Sequence, residues 1–217
     1  FWSDEQRRIG FKNLESIYPT RRIEAGGEAY PLGSRPMDLT GIEYELDGET
    51  YSVQDFLAHD ASIGVLVVQG GDVIMEYYAP GNDEQSVWVS FSVTKSVSSM
   101  LIGAAVADGF IESVDEPVVD YLPRLRGTSY EGASIADVLH MASGVAWNED
   151  YADPQSDVAQ AGGLNGIDLI RYLADLPNEH TPGDVFNYNT GETNLVGEIL
   201  RSAIGNNAST YLATKIW

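Results

Sequence analysis

The stretch that decides the fold reads IGVLVVQGGDVIMEYY over Ile63–Tyr78, continues APGNDEQSVWVSF, and ends SVTKSVSSMLIGAAVADG over Ser92–Gly109. Its opening holds two β-rich runs, Ile63–Gln69 and Val73–Tyr78, joined by the turn signal Gly70-Gly71-Asp72. After Ser90 the period lengthens: Val93, Val97, Met100, Leu101 and Ala104 recur at steps of three and four. That spacing predicts a helix with one buried face, ending near Gly109.

On the N-terminal side, the residues up to about Pro36 read as a short amphipathic segment followed by loop. Ile42–Leu46 alternates like a small strand and is turned by Asp47-Gly48. Val53–His59 suits one or two helical turns. On the C-terminal side, helices are expected at Glu116–Tyr121, Ile135–Met141, Ile167–Ala174 and Thr193–Ala203. Strands therefore come first and helices follow, with no return to strands. A single hairpin with an exposed edge is not a finished sheet. The expectation is that further strands lie beyond Trp217, and that a chain starting at Phe1 is a processed or excised piece.

Composition narrows the function classes. The chain has 217 residues, 33 acidic against 12 basic, for a net charge of −21. Such a field repels phosphate backbones and anionic membrane surfaces, so no nucleic-acid partner is expected. The acidity has two readings, solubility in a salty habitat or attraction of a cationic substrate. No apolar run approaches a membrane span. There are no cysteines, which excludes disulfides and thiolate metal sites. The compartment is left open, a periplasmic or secreted location being favoured over a cytoplasmic one.

The chemistry starts at Ser92-Val93-Thr94-Lys95. A three-residue step puts Ser92 and Lys95 on one helical face, about 5–6 Å apart at Cβ. A serine hydroxyl is a poor nucleophile without a base. A neutral lysine amine serves as one, and burial or a second cation favours that form. The helix start adds unpaired N–H groups near a developing oxyanion, Ser92's own among them. Against this stands the ordinary role of such residues, a capping serine and a solvated lysine. Two features favour chemistry: lysine occurs only at 12, 95 and 215, and Lys95 sits in a small, apolar helix.

Two further segments matter. Pro182–Glu192 (PGDVFNYNTGE) is a polar loop feeding an amphipathic helix with Leu195, Val196, Ile199 and Leu200. Tyr188 is its candidate proton shuttle, the alternative being a tyrosine that packs and hydrogen-bonds. Val138–Gly144 (VLHMASG) precedes Trp147-Asn148-Glu149-Asp150-Tyr151. His140 invites a Ser-His-Asp triad, but no Gly-x-Ser-x-Gly elbow exists. Flanked by Val138, Leu139 and Met141, it reads as a hydrogen-bonded structural residue. His59 and His180 show no metal-ligand spacing with it.

Together these elements resemble the serine β-lactamase and penicillin-binding-protein superfamily, in its class C-like and esterase branch. Ser92–Lys95 matches the first motif. Val138–Gly144 resembles the Leu-Leu-x-His-x-Ser-Gly segment, with Met141 at the usual His position. Pro182–Thr190 resembles Pro-Gly-x-x-Phe-x-Tyr-x-Asn, and Leu195-Val196-Gly197 the Leu-Leu-Gly that follows. Tyr188 follows Ser92 by 96 residues, which also fits. The likeness covers roughly residues 60–217 and is nearest to the 6-aminohexanoate-dimer (nylon oligomer) hydrolases and their carboxylesterase relatives.

The resemblance implies an α/β, β-lactamase-like fold, with an antiparallel sheet flanked by helices and a mostly helical lobe. Residues 1–85 would carry the N-terminal segment and first strands, 86–204 the helical lobe, and 205–217 the start of the return to the α/β lobe. The site would lie between the lobes. It further implies a hydrolase (EC 3.1.1 or 3.5) acting on an ester or amide of a small molecule through an acyl-enzyme on Ser92. Lys95 and Tyr188 would be its catalytic partners, with no metal or organic cofactor. Tyr151 and Thr190 are the matching substrate-binding positions. Thr190 replaces the usual Asn, which weakens the case for β-lactam recognition. The Lys-Thr-Gly or His-x-Gly motif of the last core strand is absent, so the remaining C-terminal part of the fold is an expected partner, in the same chain or a separate one. The alternatives are a D-Ala-D-Ala peptidase or β-lactamase, and a non-catalytic peptidoglycan-binding relative.

Overall fold

A computed structural model describes residues 2–59 and 62–217. The described residues form two compact units. One comprises those of Phe1–Thr20 and Glu28–Val89, the other Arg21–Gly27 and Ser90–Trp217.

The first unit runs α1 (Asp4–Gly10), β1 (Gly33–Ser34), β2 (Glu43–Leu46), β3 (Glu49–Ser52), α2 (Val53–Ala58), β4 (Gly64–Gln69) and β5 (Asp72–Tyr78). Its turns follow from the sequence. Asp47 and Gly48 take φ of 54° and 82°, and Gly70 and Gly71 take 62° and 89°. Two successive positive φ values match the right-handed twist of paired strands, so each two-residue loop closes a hairpin. Leu46 thus pairs with Glu49 and Gln69 with Asp72. Ser52 starts α2 through a capping box with Asp55.

The larger sheet has the order β1-β5-β4. The expected Ile63–Tyr78 hairpin is therefore not alone, because β1 adds to the far side of β5. That pairing is parallel, Gly33 to Asp72 and Ser34 to Val73, so the sheet is mixed rather than wholly antiparallel. The reason is local: the chain from β1 returns through the separate β2–β3 hairpin before entering β4. β4 is the outer strand, and among the described residues its other edge has no strand partner.

The second unit is helical: α3 (Val93–Ala107), α4 (Val118–Tyr121), α5 (Ile135–Leu139), α6 (Asp157–Ala161), α7 (Gly166–Ala174), α8 (Thr190–Ile204) and α9 (Ala208–Lys215). Its core is apolar, with Ile102 and Ala105 of α3, Ile135 and Val138 of α5, Leu173 of α7, and Leu195 and Ile199 of α8 fully buried. Burying each such large side chain is worth about 1.5–3 kcal/mol. At the far end of α3, Asp108 accepts hydrogen bonds from Tyr211 Oη at 2.6 Å and Lys215 Nζ at 2.8 Å, anchoring α9.

The buried face of α3 differs in part from the expected one. Of the expected stripe Leu101 is buried and Ala104 packs against the core, but Val93 and Met100 are 67% and 55% exposed, and Ile102 and Ala105 are buried in their place. The inward stripe runs Lys95, Ser98, Ile102, Ala105, three and four residues apart, so Lys95 lies on the face turned to the core. Among the described residues no helix is long and apolar enough to cross a membrane.

Candidate active site

Ser92 stands at the N-cap position of α3 but does not cap it. Its backbone is already helical, with φ −67° and ψ −8°, and its hydroxyl makes no capping bond. Capping serines are extended and accept from an N–H two or three residues on, as Ser3, Ser52 and Ser134 do at their helices. At α3 the first turn closes by tight backbone bonds instead, with the N–H groups of Val93, Thr94 and Lys95 donating to the carbonyls of Ser90, Phe91 and Ser92. Phe91 is held at φ 44°, a left-handed conformation that costs a non-glycine residue about 1–3 kcal/mol.

The hydroxyl left over meets Lys95, whose Nζ donates to Ser92 Oγ at 2.9 Å. The neighbouring Ser90 is occupied by a hydroxyl–hydroxyl bond of 2.7 Å with Thr94. The Lys95 ammonium also lies over the Tyr188 ring, 5.1 Å from its centroid, an attraction between cation and ring face. Ser92, Lys95 and Tyr188 are thus brought together, the tyrosine 36% exposed. Its contact with Lys95 is through the ring.

Tyr188 is set by its neighbours. Asn187 N–H donates to Met141 O at 2.8 Å. Asn187 Nδ2 donates to Trp147 O at 3.0 Å, and Asn189 N–H to Met141 Sδ at 3.4 Å. Met141, at the position where the resembling motif carries His, therefore supplies two of the anchors. Gly144 sits in the same turn at φ 80°, where a Cβ would lie 1.9 Å from His180 O, so no side chain fits.

Tyr151 and Thr190 converge on a residue that the sequence reading missed, Glu149. Its carboxylate accepts from Tyr151 Oη at 2.6 Å and Thr190 N–H at 3.0 Å, and also from Thr190 Oγ1 and Trp147 Nε1. Burial pushes the Glu149 pKa up, but the bonds from Thr190, Tyr151 and Trp147 outweigh it and hold it below the usual carboxylate value. Tyr151 is raised by burial and by its bond to Glu149, with Thr190 opposing and Tyr188 adding a little to the rise. Thr190 spends its hydroxyl on Glu149.

A second missed acid is Glu192, 1% exposed. Ser143 Oγ donates to Glu192 Oε1, and Val145 N–H donates to Ser143 Oγ at 3.1 Å. Ser143 is therefore buried and committed. His140 is the exposed C-terminal cap of α5, not the packed residue expected from its apolar flanks, because Val138 takes the inward position on that short helix.

Residues 53–217 match the family model described as Beta-lactamase. The chain is 30% identical over 219 residues to the 6-aminohexanoate-dimer hydrolase of Paenarthrobacter ureafaciens, covering 97% of this chain and 54% of that protein. It thus spans about half the length of the curated relative it matches. A solved structure from Bacillus anthracis, provisionally described as a 6-aminohexanoate-dimer hydrolase, superposes with a TM-score of 0.80 at 18% identity, over 99% of this chain and 59% of the other. A class C β-lactamase superposes with a TM-score of 0.52 at 23% identity, over 70% of this chain and 42% of the other. These likenesses carry the α/β, β-lactamase-like fold.

Proposed function

Because the chain belongs to the β-lactamase family, we propose that it carries the nucleophile half of a serine hydrolase. The whole protein would cleave an ester or amide of a small molecule through an acyl-enzyme on Ser92. The observation that carries this reading is the Lys95 Nζ to Ser92 Oγ hydrogen bond of 2.9 Å, made by a helix-start serine that caps nothing.

In the proposed reaction, Lys95 in its neutral form takes the Ser92 proton as Oγ attacks the carbonyl carbon. The Ser92 N–H, which has no acceptor among the described residues, supplies one hydrogen bond to the oxyanion. Tyr188, beside Lys95, passes the proton to the leaving oxygen or nitrogen. Water then attacks the ester carbon, with the same pair acting in reverse. Tyr151 and Thr190, held by Glu149, line the approach and bind substrate.

The substrate class favoured is that of the curated relative, a small amide such as a 6-aminohexanoate dimer, together with simple carboxylic esters. The use of Thr190 where the related motif carries Asn disfavours β-lactams. The test is incubation of the full-length protein with a fluorophosphonate probe, wild type beside Ser92→Ala. Labelling of the wild type alone supports the reading, and equal labelling of both removes it. Equal silence of both, with no turnover of p-nitrophenyl esters, would favour the non-catalytic alternative.

A further inference from the structure

Behind the Tyr188 turn lies a buried polar cluster with no part in the proposed proton transfers. We propose that Glu192, buried there with Ser143, Asn189 and Tyr130, is a positioning residue that fixes Tyr188 against Lys95. This deepens the reading above and rests on Tyr188 serving the reaction.

The connection to Tyr188 runs through the backbone. Glu192 N–H donates to Asn189 Oδ1 at 3.1 Å, making Asn189 the N-cap of α8. Tyr188 is thus bracketed by Asn187 and Asn189, both tied to the segment from Met141 to Trp147. Glu192 grips that segment a second time through Ser143. Between them, Gly191 leaves no slack, since a Cβ there would lie 2.5 Å from Leu173 Cδ2 and 2.9 Å from Asn189 Oδ1. A change of the Glu192 side chain releases Ser143 and so loosens the segment to which the Tyr188 turn is tied.

The surroundings favour the protonated acid. Glu192 and Asn189 are each 1% exposed and Tyr130 is fully buried. The charged groups facing them from the packed elements are the carboxylates Asp137 of α5, toward Glu192, and Asp157 of α6, toward Tyr130. No cation acts on Glu192 among the described residues. An ionised carboxylate in such a place lacks the compensation that buried charge requires. Burial drives its pKa up to about 8, the Ser143 bond opposing and Asp137 adding to the rise. The buried atoms without a hydrogen-bond partner here are Glu192 Oε2, Asn189 Nδ2 and Tyr130 Oη. They are a carboxyl oxygen, an amide donor and a hydroxyl able to donate or accept, none of them cationic.

The experiment compares the full-length wild type, Glu192→Gln and Glu192→Ala. It reads kcat and KM from pH 5.5 to 9.5 and the Glu192 carboxyl carbon by 13C NMR. The carboxyl should remain protonated at pH 6.5, and wild-type kcat should fall through a step near pH 8 with KM little changed. Glu192→Gln, which mimics the neutral acid, should keep kcat within about threefold and lose that step. Glu192→Ala should lose tenfold or more in kcat at every pH. A carboxyl already ionised at pH 6.5 overturns the proposal. So does a Gln variant as impaired as the Ala variant, or one whose pH profile superimposes on wild type. Should the Ala variant fail to fold, the Gln comparison decides alone. Probe labelling of wild-type Ser92 reports on the hydrolase reading separately. If that labelling fails, the NMR titration still decides the state of Glu192.

Discussion

Lys95 Nζ lies 2.9 Å from Ser92 Oγ across the first turn of α3, while the same ammonium stands 5.1 Å from the centre of the Tyr188 ring. One side chain thus joins the helix-start serine to a loop tyrosine far along the sequence. It reaches both because it lies on the inward stripe of α3, where a flexible surface lysine would not be held.

Lys95 and Tyr188 should act as a unit. Lys95→Ala and Tyr188→Phe are each expected to lower kcat of the full-length protein by about 10²–10⁴, the scale of a lost general base. The double variant should lose far less than the product of the two. Near-wild-type turnover in Tyr188→Phe would reduce the tyrosine to a cover over the lysine.

Glu149 should govern substrate binding through the two residues it holds. Glu149→Gln replaces one accepting oxygen by a donor facing Thr190, Tyr151 and Trp147. A stability loss of about 1 kcal/mol is expected, the cost of stranding partly buried partners. KM should rise more than kcat falls. Urea denaturation and steady-state kinetics read both, and an unchanged KM would show that Tyr151 and Thr190 do not contact substrate.

Two glycine substitutions should have opposite signs. Gly144→Ala puts a Cβ 1.9 Å from His180 O at φ 80°, and should destabilise by about 2 kcal/mol or more. Gly103→Ala, within α3 and with nothing within 4 Å of the new Cβ, should stabilise by about 0.5–1 kcal/mol. Equal effects would mean that the turn at Gly144 relaxes freely.

The proton on Glu192 has a thermodynamic signature. Its folded pKa of about 8 lies above the ordinary 4.5. The stability this contributes is fully present below pH 4.5 and is lost as pH rises through about 8. Wild type should therefore lose stability relative to Glu192→Gln across that window, and the difference should level off above it. Melting temperatures of both proteins from pH 4.5 to 9 measure this. Parallel curves would mean that Glu192 is ionised in the folded state.

His140 should matter little. It is exposed at the end of α5, so His140→Gln is expected to leave stability within about 0.5 kcal/mol and turnover unchanged. A large loss of turnover with unchanged melting would return it to the chemistry.

Much of the fold was legible because the signals were local. Asp47-Gly48 and Gly70-Gly71 closed both hairpins where turn chemistry placed them, and Ser92–Lys95 opened the helix that the apolar period required. The rest lacked such signals. α6 is only five residues long, too short to show a period. Part of the buried face of α3 was misphased because its residues are mostly small, and Val93 and Met100 outweigh Ala105 in a hydrophobic count. Glu149 and Glu192 were hidden by composition. Among 33 acidic residues, nothing local separates a half-buried Glu149 and a buried Glu192 from a solvated surface, and Thr190 and Ser143, which donate to them, come from positions distant in sequence.

Ser92 should be the residue that is acylated. Intact-protein mass spectrometry of the full-length protein, treated with a fluorophosphonate, measures it most directly. A single adduct is expected, placed on Ser92 by peptide mapping and abolished by Ser92→Ala. An adduct on Ser90 or Ser143, or one that persists in Ser92→Ala, would contradict it.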